Sequence, residues 1–227
     1  LSRSGHMYGD LSYPKVLIHS VPEMGLSMEL EQRCEQVWDI VRKTVGDLCD
    51  VGATHVAVAC NTTQWYADRL VEECARRGTE FVPILDVVLD YIEGGRLGNI
   101  TIIGIPVVAS LGEYSAYAGL KAIGVRAVDE RAQPYLQELG YIVKKLGVGE
   151  KDSRALNKLR VALKMGVDTE SVLIALTEIS VLLERFPKLK GHIEGKNIID
   201  PLRLYGERLA EIFLSALPKV QEADEAD

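Results

Sequence analysis

Short apolar runs rich in Val and Ile alternate along this chain with longer stretches whose apolar positions recur every three or four residues. Runs at residues 15–20 (KVLIHS), 54–59 (THVAVA), 81–85, 99–103 (NITII), 125–128, 171–176 (SVLIAL) and 197–199 have the length and β-branched content of strands. Between them the wider spacing predicts helices. The first covers 28–48, with Leu30, Cys34, Val37, Trp38, Val41, Val45 and Leu48 along one face, Ser27 placed to cap it and Gly52 to stop it. Further helices are predicted at 63–77 ahead of Gly78, at 86–92 ahead of Gly94 and Gly95, and at 111–123, 133–146, 151–165 and 178–185. A last one runs over 201–217, with Pro201 in its first turn, where a missing N–H costs nothing.

Strand–helix alternation with nearly continuous apolar strands implies an α/β protein whose parallel sheets are covered on both faces. The two halves also read alike. VAVA runs into Cys60-Asn61-Thr62 and VLIA into Leu176-Thr177-Glu178, each a hydrophobic strand entering a polar turn and a helix. The expected fold is two similar α/β lobes, with mainly parallel sheets flanked by helices and a cleft between them. Residues 1–105 with 201–217 form the first lobe, residues 106–200 the second, and residues 218–227 an acidic, frayed tail. Ligands of open α/β sheets sit beyond the carboxyl ends of the strands, so both turns are expected to face that cleft.

Composition narrows the classes of function. A hydrophobic share of 47% with only 6% aromatics requires an aliphatic core. A formal charge of −7 argues against a nucleic-acid partner or an anionic membrane surface. No apolar run approaches the roughly 20 residues that span a bilayer, and no signal-like segment opens the chain. Cysteines at 34, 49, 60 and 74 form no CxxC pair, which points to a reducing cytoplasm and away from a disulfide framework. No two histidines fall at metal-ligand spacing, so neither metal nor cofactor is expected. The chain opens at Leu1 and not at Met, which suits a piece of a longer polypeptide.

Candidate chemistry concentrates at Cys60. It follows four apolar residues and precedes a predicted helix, whose positive end favours a thiolate. Asn61, Thr62 and Thr63 add amide and hydroxyl donors suited to a carboxylate. A cysteine at a strand end also reads as a small buried hydrophobe, and the spacing leaves both readings open. Cys34, Cys49 and Cys74 read as packing residues, and His19 as a residue at the cleft or on the surface.

VAVACNTTQWYAD resembles the first catalytic strand-turn of the aspartate/glutamate racemase superfamily, where Cys-Asn-Thr stands at this point. LIALTEI resembles its second strand-turn, Gly-Cys-Thr-Glu-Ile in the aspartate branch. KVLIHSV is similar to the superfamily's second strand, and NIIDPLRLYGERLAEIFL to its closing strand and helix. The resemblance covers nearly the whole chain and implies cofactor-independent chemistry at the α-carbon of an acidic amino acid or related carboxylic acid. It further implies that Cys60 is one of two catalytic cysteines, and that Asn61, Thr62, Thr177 and Ser20 contact the substrate.

Racemisation needs one group to remove the α-proton and another to deliver a proton from the opposite face. Here Leu176 stands where the resemblance places the second cysteine, and an aliphatic carbon does neither. Glu178 is the candidate substitute base. Gln64 replaces a common histidine, Gly104-Ile105 replaces a Gly-Thr turn, and no Gly-Ile-Leu-Gly-Gly-Met-type turn precedes Lys15. Single-cysteine relatives of malonate-decarboxylase type use one thiol to protonate a planar intermediate. Two functions are therefore expected in competition: a racemase-like enzyme with altered chemistry, or a binding or regulatory domain without turnover. The expected partner is a small carboxylate or amino acid, with a homodimer left open.

Overall fold

The computed structural model describes residues 13–146, 152–189 and 192–216. The expected acidic tail and the glycines 147 and 149 lie outside them. In chain order the elements are α1 (Leu30–Asp50), β1 (His55–Val56), α2 (Ala67–Ala75), β2 (Glu80–Phe81), α3 (Ile84–Gly94), β3 (Ile100–Gly104) and α4 (Pro106–Ala109). They continue with β4 (Arg126–Ala127), α5 (Gln133–Lys144), α6 (Ser153–Gly166), β5 (Ser171–Ala175), α7 (Thr177–Arg185), β6 (His192–Ile193), β7 (Lys196–Ile199) and α8 (Pro201–Ala216).

β1 and β2 form a two-stranded parallel sheet, and the other strands form a five-stranded sheet in the order β4-β3-β5-β7-β6. All its pairings are parallel except the β6–β7 hairpin. The chain is thus a two-lobe α/β protein. β3 ends just before the division expected after residue 105, yet pairs with β5 and so belongs to the five-stranded sheet.

Period-two alternation sorts the central strands between two apolar layers. Ile103, Val172, Ile174 and Ile198 pack with α5, α6 and α7, whereas Ile102, Leu173, Ala175 and Ile199 pack with α3 and α8. A third cluster, around Val37, Trp38, Leu70 and Phe81, joins α1 and α2 to the small sheet. At the carboxyl end of β3 a side chain is excluded, because a Cβ on Gly104 would stand 2.9 Å from the Ala175 carbonyl oxygen.

Several expectations are corrected. Residues 15–20 form no strand: Val16 and Ile18 are 69% and 90% exposed, and among the described residues no neighbouring strand takes up their backbone groups. The helix expected at 111–123 is a loop followed by a 3-10 turn, Ala118–Ile123. Leu111 has a φ of 56°, and the Ser115 hydroxyl binds Val108 O and Tyr117 N, local bonds that compete with a helix. Ser27 lies buried in a 3-10 segment, Pro22–Glu29, and makes no cap bond. The run at 81–85 shortens to β2 because α3 already begins at Ile84, and β6, which pairs antiparallel with the expected strand at 197–199, was not predicted.

Candidate functional site

Cys60 lies four residues past β1 in a compact turn, where its N–H donates to Val58 O at 2.9 Å and its carbonyl accepts from Gln64 N at 3.2 Å. The Thr63 hydroxyl adds a 3.1 Å bond to the same carbonyl. The turn continues into a 3-10 segment, Thr63–Tyr66, so α2 begins later than the sequence suggested. Cys60 is half-buried, whereas Asn61 and Thr62 are buried at 5% and 6% exposure. Among the described residues, the backbone N–H groups of Asn61 and Thr62 and the Thr62 hydroxyl have no hydrogen-bond partner.

Gln64 explains why the turn holds its shape. Its Nε2 donates to Val58 O at 2.8 Å while its Oε1 accepts from Ile84 N at 3.1 Å, spanning the loops that follow β1 and β2. Tyr205 of α8 completes the clasp. Its hydroxyl accepts from Val58 N at 3.3 Å and from Gln64 Nε2 at 3.4 Å, and donates to Val82 O. Burial pushes the Tyr205 phenol up to about 12, so it remains a donor at ordinary pH.

From the other direction, the Tyr117 hydroxyl donates to Asn61 Oδ1 at 2.6 Å. Tyr117 is wholly buried, and burial, with Tyr205, Asp200 and Cys60 nearby, raises its pKa. Asp200 follows β7 and accepts from the Ser180 hydroxyl at 2.8 Å and from the N–H groups of Leu202 and Arg203 at the start of α8. Tyr117 and Tyr205 thus hold the Cys60 turn, while Asp200 ties the first turn of α7 to the start of α8. Tyr117, Tyr205, Ser180 and Asp200 were not among the residues chosen from sequence.

Desolvation raises the Asp200 carboxyl above its ordinary value, against the opposing pull of Ser180, the two backbone N–H groups and Arg203. The folded state therefore holds this proton to higher pH than the unfolded chain, and the contribution is destabilising as pH rises from about 4 through the raised pKa. Denaturant melts across pH 4–7 are expected to show that decline in the native chain and to show it flattened in Asp200→Asn. Asp200→Ala is expected to cost about 0.5–2 kcal/mol near pH 4 through loss of the helix cap, and less as pH rises.

The second turn differs from the first. Leu176 is 8% exposed and packs in the layer of α5, α6 and α7 with Leu136, Leu139 and Ile179, whereas Tyr117 belongs to the layer on the other sheet face. Thr177 is half-buried, and its hydroxyl donates to Glu178 Oε2 at 3.2 Å. The Glu178 carboxylate, 16% exposed, also pairs with Lys144 Nζ at 3.3 Å. Ser20 and His19 are exposed in the unpaired 15–20 segment, and no hydrogen bond joins Ser20 to the turn of Cys60 or of Thr177.

A cavity of about 320 Å³ opens beyond β3, lined by Ile105, Pro106 and Val107 together with Met28, Gln133 and Gln137, but by neither Cys60 nor Glu178. Cys49 and Cys74 are buried, and burial beside Cys49 pushes the Cys74 thiol up to about 12. Among the described residues no group of His, Cys, Asp and Glu is placed to hold a metal ion, and no helix is long and apolar enough to cross a membrane.

The chain thus carries two polar turns after parallel strands, one bearing Cys60 and the other Thr177 and Glu178. Comparison with solved structures shows which α/β fold this is. Aspartate racemase from Picrophilus torridus is similar over 92% of this chain and 82% of its own, with a TM-score of 0.67 at 15% identity. An aspartate racemase homologue from Pyrococcus horikoshii is similar over 94% of this chain and 89% of its own (TM-score 0.64, 18% identity). Glutamate racemase from Francisella tularensis, solved with D-glutamate, is similar over 81% and 66% respectively (TM-score 0.54, 13% identity). The chain has the aspartate/glutamate racemase fold. No family profile matches it, and no curated protein sequence is significantly similar to it.

Proposed function

We propose that the chain binds the carboxylate of an acidic amino acid, or of a related small carboxylic acid, at the Cys60 turn. In this reading Cys60 exchanges a proton at the adjacent carbon without a cofactor. The observation that carries it is a half-buried thiol next to two buried residues, Asn61 and Thr62, whose donors no described protein group has taken up. Such donors stabilise the charge that builds on a carboxylate as its α-carbon is deprotonated. Cysteine suits the proton transfer because its reference pKa of about 8.5 lies close to neutrality.

The aliphatic side chain of Leu176 supplies no second proton carrier, so exchange without inversion is the expected chemistry. Glu178, held by Lys144 and Thr177, anchors the second turn in this reading. The test is incubation with L- and D-aspartate in deuterated water, read by NMR and chiral chromatography. Deuterium is expected at the α-carbon with configuration retained, lost in Cys60→Ala and kept in Glu178→Gln. Rapid inversion by the native chain, abolished in Glu178→Gln, would instead make Glu178 the second base.

A second reading, a binding or regulatory domain without turnover, is favoured by the packing of Leu176 into the apolar layer. Binding of aspartate without any α-proton exchange distinguishes it.

A further inference from the structure

The amide of Asn61 has two faces, and a carboxylate is bound by only one of them. Its oxygen would repel a ligand carboxylate, while its NH2 group would donate to it. We propose that Tyr117 is the positioning residue of this cradle, holding the Asn61 oxygen so that the NH2 group is turned to the ligand. The inference rests on the carboxylate reading above and deepens it, because it assigns the site its preference for a carboxylate over a carboxamide.

Three observations carry it. The Tyr117 hydroxyl is 2.6 Å from Asn61 Oδ1, and Asn61 itself is 95% buried, with 5% of its surface exposed. The Asn61 Nδ2 has no protein partner among the described residues and stays within reach of solvent. An amide nitrogen open only at its tip, on a residue otherwise so buried, is placed to donate to a ligand.

The third observation is that the tyrosine is itself fixed. Its backbone N–H donates to Ser115 Oγ at 3.2 Å, and Ser115 Oγ donates to Val108 O at 2.6 Å in α4. A buried polar chain thus runs from the helix after the Gly104-Ile105 turn to the Cys60 turn. The raised pKa of Tyr117 keeps the phenol a donor at ordinary pH. A phenolic donor needs an acceptor, and Asn61 offers one only on its oxygen side. Phenylalanine at 117 fills nearly the same space but releases the amide to rotate by half a turn.

The test is calorimetric binding of two probes, L-aspartate and its α-carboxamide, to the native chain and to Tyr117→Phe. The native chain is expected to prefer aspartate. Tyr117→Phe is expected to bind aspartate about tenfold more weakly and to lose most of the discrimination, since a rotated amide accepts from a carboxamide. In an Asn61→Ala background, Tyr117→Phe is expected to change neither affinity further. Equal affinity and discrimination in native and Tyr117→Phe chains would overturn the inference alone, whereas no aspartate binding by the native chain overturns the carboxylate reading as well. Should Tyr117→Phe not fold, NMR of the native chain decides. A shift of the Asn61 side-chain NH2 resonances on titration with aspartate supports the assignment, and their indifference to bound aspartate overturns it.

Discussion

Tyr205→Phe is expected to destabilise the protein by about 2–4 kcal/mol, because it removes one hydroxyl and leaves more than one buried polar group short of a partner. The ring is 2% exposed and its oxygen meets Val58 N, Gln64 Nε2 and Val82 O, which belong to the loops after β1 and β2. Phenylalanine preserves the apolar packing of α8 against α3 while deleting only those bonds. Urea denaturation followed by circular dichroism measures the cost. A loss below about 0.5 kcal/mol would mean that ordered water already serves those groups. The same substitution loosens the turn that carries Cys60, so aspartate affinity is expected to fall with stability.

Leu176→Cys is expected to turn absent inversion of aspartate into measurable inversion, at the cost of about 1–3 kcal/mol of stability. The substitution replaces an isopropyl group with a thiol and leaves a small gap in the layer formed by Leu136, Leu139 and Ile179. A domain of this size ordinarily tolerates that loss. The thiol stands directly before Thr177, at the end of β5, and supplies the second proton carrier that two-face exchange requires. The double variant Leu176→Cys, Cys60→Ala should return inversion to zero, which separates the effect from a contaminating racemase. If Leu176→Cys binds aspartate and still inverts nothing, the domain without turnover becomes the better account.

Strands β3 and β5 were legible because Ile102-Ile103 and Val172-Leu173-Ile174 are consecutive apolar residues, which suit a strand buried on both faces. The helices α5 to α8 were legible from their own periodicity, with Pro201 placed in the first turn of α8. Residues 15–20 have the same local character and form no strand, since a strand is a relation to a neighbour that composition does not contain. Residues 111–123 failed for a local reason: Ser115 spends its hydroxyl on two backbone groups, and the apolar Leu111, Tyr114, Tyr117 and Leu120 recur at strict steps of three.

At the site, the Cys60 turn could be read as a run of polar residues immediately after an apolar strand. Its supports could not. Tyr117 and Tyr205 lie 56 and 141 positions from the Asn61 and Gln64 groups they hold. Nothing local marks either tyrosine as more than a core aromatic. Asp200 gave one available signal, a carboxylate directly before Pro201, the common form of a helix N-cap. That signal does not disclose the bond to Ser180.

The central claim, that the Cys60 turn binds a small carboxylate, is tested most directly by alkylation with iodoacetamide followed by mass spectrometry, with and without saturating aspartate. Cys60 is predicted to react faster than the buried Cys49 and Cys74, and L- or D-aspartate is predicted to slow Cys60 alone. Alkylation of Cys60 at an unchanged rate in the presence of either enantiomer would contradict the account.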